Sequence, residues 1–176
     1  MERKGTYIAF DATGVNDRVN SNLHTFQQLA DWQRNYPSRF NFINMDGINF
    51  SAEHDDTLDS TMKSHMMAEM AVADNMLVIA SPVTNTESPI LNWQISRGVN
   101  RFHLPVIIAY AGLDEVSEQT IEDYWTWLPQ KFKKYITRYS WARMAHIPLT
   151  RDKLERALKT YSAERQSYPW DATTIF

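Results

Sequence analysis

Short apolar runs alternate with stretches of helical periodicity about five times along the chain, which predicts an α/β fold on a parallel sheet. Two of the runs, MLVIA at 76–80 and VIIAY at 106–110, are continuously apolar, the pattern of strands buried on both faces. The 176 residues suffice for one domain with a sizeable core, taken here as 1–176. Five strand–helix units with helices on both faces fit a three-layer, flavodoxin-like sandwich of strand order 2-1-3-4-5. Ligands of such sheets bind at the carboxyl ends of the strands, near the switch point between the first and third.

Each element has its own signal. TYIAFD, 6–11, is a buried strand ending on an acid, followed by a polar loop with Gly14 and Asn16 as turn residues. From Arg18 to about Arg34, Val19, Leu23, Phe26, Leu29 and Ala30 recur at helical spacing, and Asn35-Tyr36-Pro37-Ser38 breaks the pattern. FNFINM, 40–45, alternates as a second strand and ends at Asp46-Gly47; a long polar stretch to about Asp59 is a functional-loop candidate. A helix over 61–73 carries a stripe of Met62, Met66, Met70 and Ala73, read as core packing because thioethers fill irregular gaps. The strand at 76–80 is the best candidate for the centre of the sheet. The next helix starts near Glu87 or Ser88, with Pro89 in its first turn and Leu91, Ile95, Val99 and Phe102 inward. After the strand at 106–110, an aromatic-rich helix over 120–137 is kinked or split at Pro129. MAHIP, 144–148, is a weak fifth strand, expected at an edge. Thr150 caps a last helix to Ser162, and the tail, 163–176, reads as irregular and docked on the body.

Composition narrows the function. The net charge of −3 gives no bulk electrostatic case for nucleic acid or an anionic membrane. The absence of cysteine excludes disulfides, thiolate zinc sites and a cysteine nucleophile. No signal peptide and no apolar run of membrane-spanning length is present, so a cytoplasmic location is expected. His54-Asp55-Asp56 is a local cluster on a polar loop, read as solvated, and the remaining histidines form no metal-ligand pattern.

At the predicted switch point the strand ends deliver Phe10 and Asp11, then Asp46, then Ser81 with Asn85 beyond; the following helix adds Trp93 and Gln94. The first turn, ATGVND, has one glycine and no GxGxxG or GK[ST], so a phosphate-binding glycine loop is missing. A phospho-receiver would need an aspartate where Ser81 stands and a lysine after the fourth strand, and neither is there.

The blocks YIAFDA, Asn16-Asp17-Arg18-Val19, FNFINMDGIN, ADNMLVIAS and NWQISRGVNRFHLPVIIAY together resemble the TIR-like family of bacterial anti-phage defence, more narrowly the TIR subunit of Thoeris systems. The resemblance covers roughly 5–115 and lies in the order and spacing of the blocks, the tryptophan-containing helix after the third strand being the most specific. It implies an NAD-consuming hydrolase or cyclase that breaks the nicotinamide–ribose bond and releases a cyclic ADP-ribose-type signal. NAD is then the substrate and no cofactor is required. The implied partners are an effector with a sirtuin-like domain, reached through the nucleotide signal, a phage protein as trigger, and further copies of the chain.

One position departs from the family pattern. The residue after the tryptophan is usually glutamate, and here Trp93-Gln94-Ile95 stands. Cleaving the bond builds oxocarbenium-like positive charge on the ribose, which a carboxylate stabilises. Glutamine keeps the shape and loses the charge. Three explanations stand open: an introduced substitution that traps a ligand, a naturally weak member that binds a nucleotide or partner, or a displaced alignment in which Glu87 or Asp46 supplies the acid. For the remaining candidates a ligand role stands beside a plain one. Asp11 holds the nicotinamide ribose or orders its loop; Asp46 contacts the adenosine end or makes a turn. Arg18 pairs a phosphate or a neighbouring aspartate. Trp93 stacks on a planar ring or packs, Phe10 is counted with the substrate-binding residues, and Ser81 and Asn85 meet a ligand or shape the loop. Two rival functions remain: a nucleoside deoxyribosyltransferase-like glycosidase, and a non-catalytic nucleotide-binding or assembly module.

Overall fold

A computed structural model describes residues 4–11, 22–45, 60–138, 143–163 and 173–175. The sheet has strands β1 (Thr6–Ala9), β2 (Asn75–Ala80), β3 (Val106–Tyr110), β4 (Met144–Pro148) and β5 (Thr173–Ile175) in spatial order β1-β2-β3-β4-β5. Every pairing is parallel. All residues of β1 to β4 are buried, as strands covered by helices on both faces are.

The strand period of two sorts the core into two layers. The register aligns Ile8, Leu77, Ile107 and Ala145 in one row across the sheet. These pack with α1 (Leu23–Asn35) and α6 (Arg151–Thr160) through Phe26, Leu29, Leu154 and Ala157. The adjacent row, Tyr7, Met76, Val106 and Met144, faces the other way. It packs under α2 (Ser60–Ala71), α3 (Pro89–Asn100), α4 (Glu118–Asp123) and α5 (Gln130–Arg138). The result is an α/β/α layering compatible with a flavodoxin-like fold. No helix among the described residues is long and apolar enough to cross a membrane.

Three expectations are corrected. The segment 40–45 is no strand: Phe42 makes a single parallel bridge to Thr6 on the far side of β1, so the expected 2-1-3-4-5 order survives there as one contact only. Beyond that bridge the Asn44 side chain takes over the ladder. Its Oδ1 accepts from the Ile8 amide at 2.9 Å and its Nδ2 donates to the Ile8 carbonyl at 2.7 Å. Second, β4 is not an edge strand, because β5 pairs with it from Met144 to His146. Third, that pairing comes from the tail expected to be irregular. The helix expected over 120–137 is split at Pro129 as its sequence predicts, into α4 and α5 joined through a 3-10 turn, Trp125–Trp127, with Pro129 immediately before α5. Pro129 sits where a missing amide hydrogen costs nothing. In place of a backbone partner, the Asn92 carboxamide oxygen accepts from the Lys131 amide at 2.9 Å, tying α3 to the start of α5.

Gly5 leads into β1 at φ +137°, and a Cβ there would lie 2.5 Å from the Asn41 carbonyl oxygen. The close approach lets the Thr6 amide donate to that same oxygen at 2.8 Å. Gly5→Ala is therefore expected to cost about 2–3 kcal/mol through strain and the displaced Asn41 segment. Urea unfolding of the variant against the parent checks this.

Candidate functional site

A crevice opens at the carboxyl ends of the paired strands β1 and β2. Ala9, Phe10, Asp11, Asn22, Ile79 and Asn85 are among its walls. Phe10 and Asp11 are half-buried, and Asn85 is exposed. The Phe10 ring stands edge-on to Phe26, with centroids 5.5 Å apart. Across the mouth the Asn85 Nδ2 donates to Asp11 Oδ2 at 3.4 Å. The free volume between these walls is about 40 Å³. That admits a small group of a ligand rather than a whole dinucleotide.

The floor of the crevice is a hydrogen-bonded knot. Ser81, buried at the end of β2, donates from Oγ to Asn22 Oδ1 at 2.6 Å. Thr84 Oγ1 accepts from the Ser81 amide at 3.0 Å and from Asn22 Nδ2 at 3.2 Å, and it donates to the Ile79 carbonyl at 3.1 Å. Asn22 is the N-cap of α1, yet its side chain makes no capping bond; it is spent on the β2 loop. Sequence reasoning missed Asn22 and Thr84. An asparagine just ahead of a helical pattern is the usual sign of a cap, and nothing local announced a partner 59 residues away.

Gln94 is fully buried on α3 and does not line the crevice. Its Nε2 donates to the Phe10 carbonyl at 2.7 Å and to the Ile90 carbonyl at 3.3 Å; its Oε1 accepts from the Tyr7 hydroxyl at 2.8 Å. Two carbonyls at one end of the amide and a hydroxyl at the other fix which end is nitrogen. The carbonyl of Phe10 lies just past the last residue of β1, and Gln94 supplies it with a donor. Tyr7 was not singled out from the sequence; the signal was a hydroxyl-bearing ring on an otherwise apolar strand. Burial, assisted by the nearby Glu69 carboxylate, pushes the Tyr7 phenol far above its ordinary range, so it stays a donor. Burial likewise raises Glu69, while His65, 3.2 Å away, acts in the opposite sense.

Trp93 points elsewhere, into a groove between α2 and α3, with the Arg97 guanidinium 5.8 Å from its ring centre. Glu87 lies on the surface and accepts from the Gln130 side chain. Arg18, Asp46 and the His54 cluster lie outside the described residues. The structure thus brings together Phe10, Asp11, Ser81 and Asn85, reaches them with Gln94 only through the Phe10 backbone, and sets Trp93 apart. No protein-family model matches the chain, and no curated protein matches it.

Proposed function

We propose that the chain is a TIR-like domain that handles NAD at the carboxyl ends of β1 and β2, cleaving the nicotinamide–ribose bond at a rate held low by the amide at position 94. The observation that carries this reading is the crevice between the ends of β1 and β2, where Phe10, Asp11 and Asn85 meet. That is where a layered parallel-sheet domain presents a ligand. Arg18 and Asp46 complete the residues the reading draws on. Its biological setting is Thoeris-type defence in the cytoplasm, with a cyclic ADP-ribose-type product acting on an effector that carries a sirtuin-like domain.

Near the ribose, a single carboxylate about 4 Å from the developing charge is worth about 4 kcal/mol at an effective dielectric of about 20. That corresponds to roughly a thousandfold in rate. Asp11 is the described carboxylate at the crevice and is assigned to the ribose hydroxyls.

A second reading, a non-catalytic nucleotide-binding or assembly module, is favoured by one observation. Gln94 spends both ends of its amide on Tyr7, Phe10 and Ile90, as a structural residue does. Nicotinamide release from NAD by the chain and by Gln94→Glu decides between the two, with folding followed by circular dichroism. The expected result is faster release by the glutamate form. Two folded, inert proteins that still bind NAD select the binding module. Turnover of deoxynucleosides without NAD turnover selects a deoxyribosyltransferase-like glycosidase.

A further inference from the structure

The outer surfaces of α2 and α3 form an open, shallow groove of about 500 Å³. Helical spacing builds it. Lys63 and Met67 stand one turn apart on α2, and Trp93, Arg97 and Arg101 follow at successive turns of α3 and its C-cap. Three cations therefore line the groove that holds one indole ring, Arg97 against that ring and Arg101 over the neighbouring Phe102 ring, in a chain whose net charge is −3. Among the described residues none of the three is paired with an acid.

Arg97 and Arg101 alone have a bland explanation, since cations at a helix C-terminus complement its dipole. Lys63 does not. It lies in the first turn of α2, where that same dipole disfavours positive charge, and it is half-buried. A lysine held there against its local preference, facing two arginines across an aromatic floor, has the charge pattern of a site for an anion that carries a ring. Trp and Met offer a flat, polarisable surface to such a ring. Guanidinium groups fork onto phosphate oxygens.

We propose that the α2–α3 groove binds a nucleotide, its base against Trp93 and Met67 and its phosphates among Lys63, Arg97 and Arg101. The site is separate from the β1–β2 crevice and does not depend on the NAD reading. It gives Trp93 a ligand role away from the strand ends.

The test is calorimetric titration of the full chain with ADP, adenosine and inorganic pyrophosphate. ADP is expected to bind more tightly than either fragment. The double variant Lys63→Gln, Arg101→Gln should weaken ADP by at least about tenfold while its melting temperature stays that of the parent. Trp93→Leu should weaken ADP and leave pyrophosphate within about twofold, because stacking serves only the base. In the background of Asp11→Asn with Asn85→Ala, which removes the crevice contacts, the groove variants should weaken ADP by the same factor. The proposal is overturned if ADP does not bind at millimolar concentration, or if the groove variants bind it as the parent does. It is also overturned if affinity is lost with the Asp11 and Asn85 changes instead, or if a short single-stranded oligonucleotide binds far more tightly than ADP.

Discussion

Replacing Gln94 with glutamate is expected to lower the stability of the fold by about 3 kcal/mol near pH 8, and by much less near pH 5. The reason lies in what surrounds the amide. Its nitrogen end donates to the carbonyl oxygens of Phe10 and Ile90, and its oxygen end accepts from the Tyr7 hydroxyl. A carboxylate in that place presents negative oxygen to both carbonyls in a fully buried site. A protonated carboxyl fits better, because its O–H can donate to Phe10 as the amide does. The folded state therefore holds the proton more tightly than the unfolded chain, whose glutamate titrates near about 4.3. With the folded pKa raised, the variant's stability is full below the unfolded value and is lost as pH rises through the folded one. Urea unfolding of parent and variant at several pH values checks this, read as the difference between them. A difference that does not grow with pH would mean that the carboxylate has turned out of its pocket. The same titration bears on catalysis: if residue 94 acts as an anion, nicotinamide release by the glutamate form should rise with pH over the window in which stability falls.

Acid is expected to weaken the parent through His146. The ring is fully buried on β4, and burial pushes its pKa down to about 4. Its Nδ1 shares a hydrogen bond of 3.0 Å with the Tyr110 hydroxyl, whose own pKa burial raises, and Nε2 has no partner among the described residues. Protonation would add a charge and a second N–H where only one partner exists. The unfolded chain takes up this proton near about pH 6.5. Between that value and about 4 it binds more protons than the folded protein does. Stability is thus full above that window and falls by roughly 3 kcal/mol as pH drops through it. His146→Leu removes this slope. It also leaves the Tyr110 hydroxyl without its partner, at about 1–2 kcal/mol near neutral pH. Chemical unfolding of the two proteins between about pH 7 and 4 should give curves that cross, the parent being the more stable near about pH 7 and the variant near about pH 4. Parallel curves would place the acid sensitivity elsewhere.

The fold was legible where burial was continuous. MLVIA and VIIAY became β2 and β3, and Ser88 with Pro89 began α3, its hydroxyl accepting from the Leu91 amide at 3.1 Å. The errors arose where pairing depends on distant residues. FNFINM has the alternation of a strand, and Phe40 and Phe42 are buried as expected, but a side chain replaces the ladder at Asn44. MAHIP read as an edge because the strand that covers it is three residues long and carries no apolar run. At the site, the strand ends could be read because topology puts them together. The direction of α3's side chains could not. One residue's step around a helix turns the side chain by about 100°, and that step separates the groove at Trp93 from the interior at Gln94.

Asn44 has a consequence for self-association. The outer edge of β1 would otherwise offer the Ile8 amide and carbonyl to any extended segment that came alongside, whether from another copy or from an unfolded chain. One carboxamide occupies both groups. The sheet is thereby closed to strand addition at this point without a charge or a proline, and copies of the protein that meet there find no free backbone on Ile8 to pair with.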